Sequence, residues 1–326
     1  VTVVRRVAWS ALLAGLISLL VVPLVVPVET TGTLTFREAA GPDATFVDIG
    51  GLHLHYELTP YRGEDANPPL FLLLHGFGAS TYSWREVAPG LSALGAVLSY
   101  DRPAFGVSER PTVEGGESPY AVKAQLNLIT DLMNEFATEG QPVILMGHSA
   151  GGALAAEYAL ENPGTIESLI LVAPAILTTG GGPNWLSVLF EIPQVDRIGP
   201  LLVAGIASSG NELLERSYHN VDALSPQARE AYRLPLTIIG WEKAFWEFTK
   251  TSPSFEVSQK PEALSVSTAI ITGDDDRVVA TQDSLELATR IPGAILEVIP
   301  QSGHLPQEET PEGFLRAVAK VLATLR

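Results

Sequence analysis

The chain contains no cysteine. That excludes disulfides and thiolate metal sites, and it leaves the redox compartment open, because a cysteine-free protein suits either side of a membrane. Basic residues are scarce: 20 Lys and Arg face 37 Asp and Glu, a formal net charge of −17. Nucleic-acid phosphates are held by clusters of Lys and Arg, so this balance argues against a nucleic-acid partner. It argues equally against attachment to anionic lipid by charge alone. No His, Asp and Glu cluster has metal-ligand spacing, so neither a metal nor a cofactor is expected. The glycine run Gly180-Gly181-Gly182 precedes no lysine and reads as a hinge rather than a phosphate loop.

One long apolar run is present, at the start. Val7 to Val28 carries no charge and follows Arg5 and Arg6. As a helix it would cover about 33 Å, close to the thickness of a bilayer core. Pro23 and Pro27 are expected to kink or end it, leaving Val7–Val22 as the clean part. That shorter run resembles a signal-peptide core, but no A-x-A cleavage site follows. Residues 1–29 are therefore read as a single membrane anchor, with a cleaved signal and secretion as the alternative. The leading arginines place the rest of the chain outside the cytoplasm. Residues 30–45 read as a polar linker, and a chain starting near Thr33 is expected to be soluble and active.

Residues 46–326 are long enough for one full core with an insertion. Strands are predicted at 46–49 and 52–58 as an antiparallel edge. Further strands at 70–75, 96–100, 142–147 and 167–173 follow, with helices at 120–137 and 150–162. The alternation stops at about 175 and resumes after 262, with strands at 268–273 and 294–299 and helices at 281–290 and 311–325. Such alternation means a mostly parallel sheet with helices on both faces, whose ligands bind beyond the carboxyl ends of the strands. The interruption at about 175–262 is too long for a loop and reads as an inserted helical lid. Trp241, Phe245 and Phe248 fall on one helical face there, either packing on the body or lining an apolar acyl pocket. Trp185, Phe190, Tyr218 and Tyr232 belong to the same aromatic set.

The chemistry concentrates at strand ends. Ser149 sits in Gly147-His148-Ser149-Ala150-Gly151-Gly152, between the apolar strand 142–147 and a helix. In this G-x-S-x-G turn the flanking glycines allow a strained serine whose hydroxyl projects above the sheet. A serine hydroxyl needs a base. Among six histidines, His304 lies on a loop just past a strand, after Gly303. An orienting acid comes before it, from Asp274, Asp275 or Asp276, past the strand at 268–273. The order serine, acid, histidine is that of one serine-hydrolase arrangement and not of the other two. The apolar strand 70–74 ends in His75-Gly76-Phe77-Gly78, whose turn can aim the Phe77 N–H, with that of Ala150, at a reacting carbonyl oxygen. His75 is expected to fix this loop by hydrogen bonds. His148 is expected to pack, or to line the pocket. Asp101 and Arg102 read as an internal ion pair. His53 and His55 share one strand face, read as solvent-facing.

These pieces, with Asp101-Arg102-Pro103-Ala104-Phe105-Gly106-Val107-Ser108 and Gly273-Asp274-Asp275-Asp276-Arg277-Val278-Val279, occur in one order over residues 46–326. Together they resemble the α/β-hydrolase family, in its lidded esterase, lipase and C–C hydrolase group. The resemblance implies a mostly parallel eight-stranded sheet and a Ser149–His304–Asp276 triad, Asp276 being the last aspartate before Arg277. It also implies an oxyanion hole of the Phe77 and Ala150 N–H groups, with no cofactor. Ala104 stands where relatives commonly have Gly, and Ala280 where many have Pro. The implied activity is hydrolysis of a small-molecule carboxylic ester with an apolar portion, with His148, Trp241 and Phe245 as candidate substrate contacts. C–C bond hydrolysis and cofactor-free perhydrolysis use the same triad and are the alternatives. A binding protein that kept the fold without catalysis is the rival from another class.

Overall fold

A computed structural model describes residues 2–28, 31–113, 117–177, 189–190, 192–207, 209–251 and 255–325. Eight strands form one sheet: β1 (Thr45–Ile49), β2 (Leu52–Thr59), β3 (Leu70–Leu74), β4 (Ala96–Tyr100), β5 (Val143–His148), β6 (Ser168–Val172), β7 (Ser267–Gly273) and β8 (Ile295–Ile299). Their spatial order is β1-β2-β4-β3-β5-β6-β7-β8. β2 pairs antiparallel with β1 and β4, and every other pairing is parallel. The strands fall within a residue or two of their predicted positions.

The period-two geometry of a strand sends alternate side chains to opposite faces. In β3, Leu70, Leu72 and Leu74 enter one core with Leu126, Ile129 and Leu154. Phe71 and Leu73 enter the other, with Trp84, Phe314 and Val318. Helices Val122–Phe136, Ala150–Glu161 and Thr281–Arg290 supply the first face. Pro311–Leu325 and the short helix Ala88–Leu91 supply the second. A sheet covered on both sides explains why β3 is apolar at every position rather than alternating.

Between β6 and β7 lies a helical cap, with helices Pro193–Ala207, Gly210–Arg216, Pro226–Arg233 and Trp241–Lys250. It has its own small core of Val203, Trp241 and Trp246, against which Phe190 packs. Trp185 and the glycines at 180–182 lie outside the described residues.

Two expectations are corrected. The segment 30–45 is not a free linker. Its residues Phe36–Ala40 form a helical turn closed by a Thr35–Glu38 capping box, and the amides of Thr33 and Leu34 both donate to Thr237 O in the cap, at 2.8 and 3.0 Å. The N-terminal helix, Thr2–Val25, also continues through Pro23. That proline lies in the last turn, where the lost N–H leaves little helix to break. A stretch of 21 residues in this helix, Arg5–Val25, is apolar and long enough to cross a bilayer, and none of it is buried in the protein.

Candidate active site

Ser149 ends β5 and starts the helix Ala150–Glu161 with φ 52° and ψ −119°. An L-residue rarely holds a positive φ, and such strain persists only where surroundings enforce it. Here the Ser149 amide donates to Val172 O of β6 at 2.9 Å. The flanking glycines are steric requirements: a Cβ on Gly147 would lie 2.4 Å from Gly151 O, and one on Gly151 would lie 2.4 Å from His75 O. Ser149 is 8% exposed.

The turn after β3 runs directly against this elbow. A Cβ on Gly76 would stand 3.2 Å from Ser149 Cβ. His75 fixes the turn as expected: its Nδ1–H donates to Gly76 O at 2.8 Å and its Nε2 accepts from the Arg102 amide at 3.0 Å. Burial first, and the Arg102 charge next, push the imidazole down to about 3, so it stays neutral in these roles. Among the described residues no acceptor is paired with the N–H of Phe77 or of Ala150.

Asp276 and His304 come from the loops after β7 and β8. His304 Nδ1 donates to Asp276 Oδ2 at 2.7 Å. In a neutral ring that bond leaves the lone pair on Nε2. The second oxygen of Asp276 accepts the Val278 and Val279 amides at 2.8 and 2.9 Å. Asp274 instead accepts the Ser302 amide, and Asp275 pairs with His219 and Arg277. The three aspartates left open by spacing are thus separated by their contacts.

His148 packs as expected and does more. Its ring lies 4.7 Å from that of His304, and its Nε2–H donates to His304 O at 2.8 Å. Burial and the neighbouring His304 push its pKa well down, and its Nδ1 has no hydrogen-bond partner among the described residues. Phe245 and Phe248 reach the turn after β3. Phe77, 42% exposed, meets Phe245 at 5.0 Å and Phe105 at 5.7 Å between ring centroids. Trp241 does not join them. It lies in the core of the cap, and its indole N–H donates to Thr31 Oγ1 at 3.0 Å. The three positions share one helical face, but Trp241 starts the helix about 6 Å along the axis from Phe245 and meets the N-terminal segment there instead.

The structure corrects two readings near β2. His53 and His55 do share a face, but the loop 101–109 buries His55, while the His53 side chain stays 37% exposed. His55 Nδ1 bonds Asp101 Oδ2 at 2.9 Å, and His53 Nδ1 bonds Glu109 Oε2 at 2.9 Å. Asp101 therefore pairs with His55, and also accepts the Thr81 and Val107 amides at 2.7 Å each. Arg102 turns away from it, to Gln125 and Gly76 O.

Sequence reasoning missed the residues that fasten the cap to the histidine loop. The His304 amide donates to Ser217 O at 2.7 Å. Glu309 accepts three amides, Gly303 at 2.8 Å, His219 at 2.9 Å and Asn220 at 2.6 Å. Glu308, buried, accepts from Arg85, Tyr218 and Tyr232. The available signal was the adjacent pair of carboxylates four and five residues beyond a loop histidine, too general to interpret without coordinates.

The chain is similar to several proteins over most of its length. Human monoacylglycerol lipase ABHD6 is 24% identical over 269 residues, covering 81% of this chain and 78% of that protein. A 2-hydroxy-6-oxononadienedioate/2-hydroxy-6-oxononatrienedioate hydrolase of Comamonas testosteroni is 27% identical over 270 residues, covering 77% of this chain and 87% of that one. Among solved structures, a membrane phospholipase A described as a bacterial virulence factor superposes with a TM-score of 0.64 at 21% identity, covering 100% of this chain and 98% of that one. The family model described as the alpha/beta hydrolase family matches residues 71–317. With that span, the eight-stranded sheet and the serine at its central strand-to-helix turn, the chain belongs to the alpha/beta hydrolase family.

Proposed function

We propose that the protein is a membrane-anchored serine hydrolase that cleaves carboxylic esters with an apolar portion. The observation that carries this reading is the buried His304–Asp276 bond of 2.7 Å, with His304 packed on His148, the neighbour of a serine held at positive φ. Ser149 Oγ attacks the ester carbonyl while His304 Nε2 takes its proton. His304 then delivers that proton to the departing alcohol, leaving an acyl-enzyme on Ser149. Water, activated by the same nitrogen, releases the acid and restores the serine. Asp276 holds the imidazole tautomer and stabilises the imidazolium that forms. The unpaired Phe77 and Ala150 N–H groups receive the oxyanion, at the positive end of the Ala150–Glu161 helix. The aromatic wall of Phe77, Phe105, Phe245 and Phe248 supports an apolar acyl or alkyl group beside that hole. The apolar N-terminal helix supports anchoring, and a membrane phospholipase A of the same fold is consistent with a lipid-like ester.

A fluorophosphonate probe tests the nucleophile: it should label the native chain and not Ser149→Ala. A panel of p-nitrophenyl esters then tests the reaction class. Labelling without turnover of any ester would move the reading to C–C hydrolysis or perhydrolysis, and absence of labelling would leave a binding protein. Anchoring is tested by fractionation. Detergent should release the protein from membranes and high salt should not, because a chain of net charge −17 has no electrostatic hold on anionic lipid.

A further inference from the structure

We propose that the outer face of the cap helix Pro193–Ala207 docks on the lipid bilayer that the N-terminal helix spans, so that the cap lies in the membrane interface. The proposal rests on the anchor reading above and adds a second membrane contact to it. The helix is two-sided. Its inner face carries Val195, Gly199 and Val203 against Trp246, so close that a Cβ on Gly199 would meet the indole at 2.0 Å. Asp196 is bonded to Trp246 Nε1 at 2.8 Å and to Lys250 at 2.6 Å, which compensates the acidic charge of this helix. Its other face presents Leu201 and Leu202, 43% and 52% exposed. No charged residue occurs between Arg197 and Glu212. Ile192, just before the helix, is exposed as well.

The neighbour of this face names its occupant. The N-terminal helix packs along Pro193–Ala207, and the Gln194 side-chain amide donates to Leu20 O at 3.2 Å. Leu201 stands two turns from Gln194 on the same side of the helix, so it continues the surface of the N-terminal helix, with Leu202 exposed on its flank. Leu20 lies five residues before the end of that helix at Val25. At the α-helical rise this is about 8 Å inside the apolar segment. A helix lying in the interface buries its apolar face about 5–10 Å deep, the same level. The one basic residue on this face is Arg197, exposed and one turn before Leu201, so apolar insertion supplies the attraction and a single cation stands at its rim for lipid phosphate.

The lack of cysteine makes single-site labelling direct. The whole chain carrying Leu202→Cys, Ile17→Cys or Val298→Cys is labelled with an environment-sensitive fluorophore and reconstituted into dioleoyl phosphatidylcholine vesicles. Val298 is exposed on β8 and serves as the aqueous reference. The label at Leu202 should be quenched by brominated acyl chains, as at Ile17, and should be about tenfold less accessible to aqueous iodide than at Val298. A Leu202 label open to iodide while the Ile17 label is quenched by lipid overturns the docking and leaves the anchor standing. A Leu202 label shielded from both quenchers would put a second copy of the chain on this face and also overturns it. If the Ile17 label itself meets iodide and not lipid, the anchor reading falls and the docking with it. None of these readouts depends on the chemistry at Ser149.

Discussion

Asp276 differs from its two neighbours in what its oxygens touch. One oxygen receives His304 Nδ1–H, the other receives two backbone amides, and the side chain has no exposure. Asparagine at this position keeps the size but can turn its NH2 towards the ring, favouring the wrong tautomer. Asp276→Asn should therefore lower kcat on a p-nitrophenyl ester by about 10⁴, with folding intact by circular dichroism. Asp274→Asn and Asp275→Asn should keep most activity, and a dead Asp275→Asn would move the acid one residue back. A second residue-scale contrast lies in the turn after β4. Ala104 holds φ 74° where glycine would be free of strain. Relief of about 1–2 kcal/mol in Ala104→Gly is offset by about 0.8 kcal/mol for the lost buried methyl and about 0.4–1 kcal/mol of added chain entropy. The variant should be stable to within about 1 kcal/mol of the native chain. Gly106→Ala should instead be poorly folded, since its Cβ would stand 1.9 Å from the Asp101 carboxylate at φ 51°. Urea melts of both variants check the contrast.

At the scale of elements, the histidine loop is held by the cap as much as by β8. Glu309 gathers the amides of Gly303, His219 and Asn220 onto one carboxylate. Glu309→Ala should lower kcat by about 10- to 100-fold through misplacement of His304, with KM changed far less. Steady-state kinetics test this, and a fall in stability with unchanged kcat would make the contact purely structural. The His55–Asp101 pair ties β2 to the loop after β4 and makes that tie pH-dependent. Burial opposes charge on His55, but the Asp101 hydrogen bond and charge outweigh it and raise the group above its ordinary 6.5. Burial likewise opposes charge on Asp101, and the His55 bond and charge outweigh it and lower the group below 3.8. The His55 contribution is therefore full below about 6.5 and is lost as pH rises through its raised value. The Asp101 contribution is full above about 3.8 and is lost as pH falls through its depressed value. The Tm gap between native protein and His55→Gln should be widest at pH 5–6 and narrow towards pH 9. These ties were not legible in the sequence, whereas the strands were. β3, β5 and β6 are apolar at nearly every position because both faces are covered, and that run marks them without coordinates. His53 and His55 showed their shared face through the same periodicity, but a loop from forty-odd residues away buries His55, and no local pattern encodes that. The elbow serine and the loop histidine were legible because their backbone demands glycine beside them. The choice among three aspartates was not, since spacing alone allows each.

On the scale of the whole molecule, the N-terminal segment and the cap form one connected unit above the sheet. The sequence shows a polar stretch at 30–45, which reads as a spacer between anchor and enzyme. The capping-box pair Thr35 and Glu38 was the overlooked sign of order there. In the structure Thr31 donates from both its amide and its hydroxyl to Glu242 Oε1, and accepts the Trp241 indole N–H. Glu242 is 2% exposed, and its other oxygen has no partner among the described residues. A cut near Thr33 therefore does not fall in a spacer. It leaves a buried carboxylate without either donor, while the Leu34 contacts to Thr237 and Ile239 survive. Hydrogen bonds to a charged group are worth about 1.5–3 kcal/mol. In a protein of this size that is a Tm loss of roughly 5 °C. A chain beginning at Val28 should melt with the detergent-solubilised whole chain, and one beginning at Thr33 should melt lower by that amount. Thr31→Val in the whole chain should lose stability in the same direction, because the hydroxyl goes and the amide remains. Equal melting of the two shortened forms would mean that Thr31 only rests on the cap, and that the anchor and the hydrolase are joined by a spacer after all.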